Sequence, residues 1–164
     1  AGHLSYQFSK SNIVPEKIVL VGPGGLGAKR GPMQEMVRRT SEMSNVQVLE
    51  AHKKNLGILM FANPSNIDDL SLYIQLQNTK HHRTKSRPIS ATDTLTKILS
   101  KQKTPLYVLW GEKDSTVGPY LEDRMIILRK VNPDVRFHVE LNSGHWIMYE
   151  TAERFNEILC NILN

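Results

Sequence analysis

Two residues in the C-terminal third have the types and the setting for proton transfer. Asp114 follows the apolar run Pro105-Leu-Tyr-Val-Leu-Trp-Gly and a polar turn. His145 follows a second run, Phe137-His-Val-Glu-Leu, and the turn Asn-Ser-Gly. They lie 31 positions apart. A carboxylate held behind an imidazole fixes its tautomer and stabilises the cation formed when the ring accepts a proton. Parallel-sheet proteins keep such groups at the carboxyl ends of neighbouring strands. The order acid, then histidine, completes a triad when a serine on a Gly-x-Ser-x-Gly turn precedes both. No such pentapeptide occurs in the 164 residues, so no nucleophile is assigned.

Other ionisable residues lack this context. Glu112 and Asp123 read as solvated neighbours of Asp114. His3, His52, His81 and His82 follow no strand-to-turn pattern, and His138 alternates within a strand. A different chemistry is outlined by Gly22-Pro-Gly24-Gly-Leu-Gly27 after an apolar run, with Val46–Glu50 as a second strand ending in an acid. That is the sketch of a dinucleotide fingerprint. Against it, Gly31-Pro32 interrupts the helix that should hold the pyrophosphate, and Pro23 removes a loop N–H. It stands as an alternative to the acid–histidine reading.

The elements that must carry these groups follow from periodicity. Ile18–Val21 and Leu106–Leu109 are short, uniformly apolar runs, as in buried parallel strands. Phe137–Leu141 alternates and reads as the last strand. A helix remnant is expected over 3–11, and a loop over 22–32, rich in glycine and proline. A polar helical stretch is expected over 33–77, broken at Asn63-Pro64-Ser65, with Asp68 and Asp69 opening the segment after the break. Further helices are expected over 92–99, 121–130 and 151–163. Their apolar faces are Leu95, Ile98 and Leu99; Leu121, Met125, Ile126 and Leu128; and Phe155, Ile158, Leu159 and Ile162. Met148 and Tyr149 are expected to pack on the closing helix. Strand–helix alternation of this kind predicts an α/β fold with about three parallel strands. The first strand would then present an unpaired edge open to another chain.

Composition narrows the classes. The chain is long enough for one core. No apolar run approaches the roughly 20 residues of a membrane span. The single cysteine, Cys160, is expected as a small buried hydrophobe, which fits a reducing, cytoplasmic setting. No cysteine–histidine pattern predicts a metal site. The net charge of +5 concentrates in Lys80-His-His-Arg83-Thr-Lys85-Ser-Arg87, which holds no aromatic residue for base stacking and no nucleic-acid motif. Nucleic-acid and membrane partners are therefore not expected.

Three motifs in order resemble the meta-cleavage-product branch of the α/β-hydrolases, the carbon–carbon bond hydrolases of ring-fission products. They are Gly2-His3, Lys17-Ile-Val-Leu-Val-Gly22-Pro-Gly-Gly25 and Gly144-His145-Trp146. The resemblance covers almost the whole chain but only the family's C-terminal half, starting just after the nucleophile elbow. It implies post-nucleophile core over 1–30, a helical cap over 31–100 and the acid–histidine core over 101–164. It implies catalytic roles for Asp114 and His145, no cofactor, and a small carbonyl substrate. Trp146 would wall the substrate pocket, or be a packed aromatic if that role does not carry over. The family's cap arginine falls near Gln75 or Leu76, so a dienoate substrate loses its expected anchor, unless Arg83 or Arg87 substitutes. An ester is then equally compatible. The resemblance also implies that this chain alone is inactive and partners an N-terminal half, or a second copy, through the open strand edge. The competing class is a degenerate hydrolase fragment serving as an interaction module.

Overall fold

The computed structural model describes residues 15–83, 85 and 87–164. The helix expected over 3–11 lies outside them. Strand β1 (Ile18–Val21) is followed by helix α1 (Asn45–Leu59), a 3-10 turn (Pro64–Asn66), α2 (Asp69–His81), α3 (Arg87–Ser90) and α4 (Thr94–Leu99). Then come β2 (Leu106–Gly111), a second 3-10 turn (Gly118–Tyr120), α5 (Leu121–Val131), β3 (Arg136–Glu140), α6 (Ile147–Glu150) and α7 (Ala152–Leu163). The strands form one parallel sheet in the order β1-β2-β3. This is the α/β architecture the periodicity predicts.

β2 occupies the centre of the sheet, and all of its residues but Tyr107 are buried. Leu106, Val108 and Trp110 are buried in one cluster with Leu20 of β1, Leu95 and Leu99 of α4, and Leu128 of α5. Trp110 is stacked on Phe137 of β3 at 6.2 Å between ring centres. On α5 the half-buried apolar neighbours of this cluster are Leu121, Met125, Ile127 and Val131, whereas Ile126, expected on that face, is exposed. The helical phase places 124, 128 and 131 inward, and 127 shares that side more closely than 126 does.

Two expected elements are corrected. The helical stretch over 33–77 is not continuous, since 33–44 has no regular structure and α1 starts at Asn45. Ser44 caps it, accepting from Gln47 N–H while the Gln47 side chain accepts from Ser44 N–H. This capping box satisfies orphan amides on both sides. Asp68 caps α2 through Ser71 in the same manner. Val46–Glu50 is thus helix, not the second strand a dinucleotide fold requires. The Gly-rich loop is also spoken for: the Gly25 and Gly27 amides donate to Ser90 and Thr92 carbonyls, both at 2.9 Å. Amides used in this way cannot cradle a pyrophosphate.

The closing helix α7 keeps its stripe of Phe155, Ile158, Leu159 and Ile162, but none is fully buried. Cys160 is exposed, not buried, because it projects away from that stripe. Met148, expected to pack on α7, is exposed. Among the described residues no helix is long and apolar enough to cross a membrane.

Candidate active site

The strand register brings the two chemical residues together. β2 and β3 pair through Trp110–Val139 and Gly111–Glu140, so both strands end at one level. Beyond that level the turns are stitched by Glu112 N–H to Glu140 O at 2.8 Å and Lys113 N–H to Ser143 O at 2.9 Å. Gly111 permits this approach: a β-carbon there would sit 2.1 Å from Gly144 O. Asn142 makes the tight turn at φ 56°, a left-handed conformation that asparagine tolerates better than most residues.

Asp114 and His145 meet at this sheet end. His145 Nδ1–H donates to Asp114 Oδ2 at 2.8 Å. Asp114 is 2% exposed, and its Oδ1 accepts from Thr116 N–H at 2.8 Å and from Thr116 Oγ1–H at 2.7 Å. Three donors on a buried carboxylate hold it in one orientation and offset its desolvation. Because Nδ1 carries the proton, the imidazole presents an unprotonated Nε2 when neutral. Gly22 closes the other side of the ring. At φ 53° it lies so near that a β-carbon would stand 2.8 Å from His145 Cε1.

His145 and Thr116 line a cleft of about 760 Å³ with the Gly22–Leu26 loop, Met33, Met36, Leu59 and Met60. Arg30, His82, Lys85 and Arg124 also line it, and none of the described lining residues is acidic. Arg124 is buried, donating to Lys29 O at 2.7 Å and Thr116 O at 3.3 Å. Burial lowers its pKa from the ordinary guanidinium value, the charge of Asp114 opposes that shift, and Arg30 adds to it. Arg30 Nη2 donates to Ser90 Oγ at 2.7 Å.

The remaining sequence candidates fall elsewhere. Trp146 is not among the cleft's lining residues. It packs against Phe61 and Tyr149, at 5.7 and 6.0 Å between ring centres, because its backbone N–H is tied to Met60 O at 2.9 Å. Glu112 and Asp123 are exposed, and His138 pairs with Glu140 at 2.7 Å. Gln75, Leu76 and Arg83 do not line the cleft, and the Arg87 side chain lies outside the described residues. Sequence reasoning missed Gly22, Thr116 and Arg124 as neighbours of the pair. The Asp-x-Thr spacing, typical of side-chain-capped turns, was the one available signal for Thr116.

No protein-family model matches the chain. Its curated relatives include the 2-hydroxy-6-oxo-6-phenylhexa-2,4-dienoate hydrolase of Burkholderia cepacia, 29% identical over 157 residues, covering 90% of this chain and 54% of that protein. Among solved structures, the meta-cleavage product hydrolase of Pseudomonas fluorescens IP01 superposes with a TM-score of 0.66 at 18% identity, over 99% of this chain and 62% of that one. A thermophilic esterase superposes at 0.61 and 18% identity, over 99% and 62%. The chain shares the α/β-hydrolase fold of these structures, and its sequence is similar to meta-cleavage product hydrolases. It spans 54–59% of the length of the curated relatives it matches, about half. Within that fold the β2 turn holds a buried acid against the β3-turn histidine, which lines the cleft.

Proposed function

We propose that this chain carries the acid–histidine half of a serine-type hydrolase site acting on a small carbonyl compound, an ester or the carbon–carbon bond of a ring-fission-type product. The observation that carries the reading is the buried Asp114 carboxylate bonded to Nδ1 of a histidine that faces a cleft. His145 Nε2 takes the proton of an incoming hydroxyl nucleophile and later returns it to the leaving group, while Asp114 stabilises the imidazolium between those steps. The serine comes from residues outside these 164. The segment bearing it adds to the outer edge of β1, which pairs only with β2 among the described residues. The cationic lining from Arg30 and Arg124 favours a substrate that carries a carboxylate, as the dienoate named for the Burkholderia relative does.

The protein isolated from its natural source is the sample to test. Its intact mass is expected well above 18.7 kDa, or a second chain is expected to co-purify. It should hydrolyse short acyl esters, and His145→Ala should abolish turnover. The 164-residue chain alone should show none. Turnover by that chain alone, lost in His145→Ala, would overturn the split of the site. An inactive natural-source protein would leave a degenerate hydrolase acting as an interaction module.

A further inference from the structure

Outside the acid–histidine pair, one carboxylate is committed more heavily than its surface-facing position requires. Glu150, at the end of α6, accepts backbone N–H groups from two distant segments. Its Oε1 accepts from Ala62 at 3.0 Å and Asn63 at 3.1 Å. Its Oε2 accepts from Ala62 at 3.0 Å and from Gly144 at 2.6 Å. Gly144 immediately precedes His145, and Ala62 and Asn63 follow the end of α1. One side chain therefore holds the histidine turn against the segment that leaves α1.

That segment reaches both chemical turns. Leu59 O accepts from Ser115 Oγ–H at 3.0 Å, next to Asp114. Met60 O accepts from Trp146 N–H at 2.9 Å, next to His145. A β-carbon on Gly144 would stand 2.6 Å from both Ala62 N and Met60 O, so the two backbones touch where Glu150 clamps them. Leu59 and Met60 themselves line the cleft. Residues 59–63 form a strap over the acid and the histidine, and its far end is fastened by Glu150.

We infer that Glu150 is a positioning residue for His145: its carboxylate, by binding Gly144 N–H and the Ala62–Asn63 amides together, sets the imidazole's distance and angle to Asp114. This rests on the acid–histidine reading above. The energetic argument is direct. Each amide bond to an ionised carboxylate is charge-assisted and stronger than a neutral one. Without the carboxylate the amides of buried Gly144 and half-buried Ala62 lose their acceptor. They regain one only by shifting, and the Gly144 shift is transmitted to His145 across a single peptide unit.

The test is proton and nitrogen NMR of the full natural protein, following the His145 Nδ1–H resonance and the titration of each histidine. In the unaltered chain a downfield Nδ1–H signal is expected, lost in Asp114→Asn. If the unaltered chain lacks it, or Asp114→Asn retains it, the acid–histidine reading itself fails, separately from the inference on Glu150. Glu150→Ala should lose the signal and shift the His145 titration, with those of His52 and His138 unmoved. Glu150→Gln keeps one acceptor oxygen but opposes an NH₂ group to the remaining amides, so an intermediate displacement of His145 is expected. If the alanine variant does not fold, the glutamine variant decides. A His145 signal and titration matching the unaltered chain in a folded Glu150 variant would overturn the inference. Equal shifts of all three histidines would overturn it too, because Glu150 would then support the fold at large.

Discussion

The sheet end and the helical roof solve the problem of placing side chains in opposite ways. At the sheet end, Trp110, Leu109, Leu128 and Asp114 are at most 2% exposed, and strand register positions everything that follows. In the roof, α1 and α2 pack on one another yet expose Val46, Leu49, Leu70 and Tyr73. What secures the roof is polar: the Ser44 and Asp68 caps, the Asn55 side chain bonded to both backbone groups of Val37, and Tyr149 Oη–H donating to Asp68 at 2.5 Å. That contact is mutually reinforcing. Burial first, and Asp68 second, push the Tyr149 phenol up to about 12, while the same bond lowers the Asp68 pKa. A close-packed core resists small displacements, whereas a roof tied by hydrogen bonds can shift without losing its elements.

The sharpest way to break that contrast is at the carboxylate. Asp114→Asn offers an amide that can support the wrong imidazole tautomer, so kcat of the proposed serine hydrolase should fall about 10⁴-fold, the scale of that lesion in a serine-protease triad. The fold should stay intact, and stopped-time ester assays beside circular dichroism would check both. Next, Leu128→Ala empties a fully buried site in the core cluster and should cost about 2–5 kcal/mol in urea unfolding. A loss under about 1 kcal/mol would mean the sheet end is no better packed than the roof.

A smaller effect concerns the roof's one buried histidine. His52 is 1% exposed, and its Nε2 accepts from Arg39 Nη1 at 3.1 Å. Burial, with help from the Arg39 charge, lowers its pKa. A histidine kept neutral in the folded state binds fewer protons there than in the unfolded chain. Stability is therefore full above the ordinary value of about 6.5, falls as pH drops below it, and levels off once the lowered folded value is passed. Unfolding midpoints measured through that window should decline, with a shallower decline in His52→Gln. The smallest effect belongs to the roof surface. Leu70→Ala should change stability by less than about 0.5 kcal/mol, because the residue is 57% exposed. A larger loss would place Leu70 in a contact and narrow the contrast between the two regions.

Much of the sheet end was legible before the structure. Strands such as Ile18–Val21 and Leu106–Leu109 announce themselves because both faces are apolar, and β1 matches its expected limits residue for residue. Helix positions followed from caps and spacing, although α3 and α6, four residues each, are too short to leave a periodic signal. Cys160 shows the limit of spacing arguments. It sits among apolar residues in sequence, yet it is exposed.

What the sequence determined by itself was local and chemical: the α/β alternation, the acid and histidine after successive strands, and the absence of a serine elbow among these 164 residues. Those follow from side-chain periodicity and residue type, which act over a few neighbours. Only the tertiary structure decided that Gly22 lies under the imidazole, that Arg124 stands behind Thr116, and that Glu150 joins Gly144 to residues more than 80 positions earlier. Such contacts join segments distant in the chain, and no local propensity encodes them. They depend on which strands pair, and in which register, and so they appear only when the sheet forms.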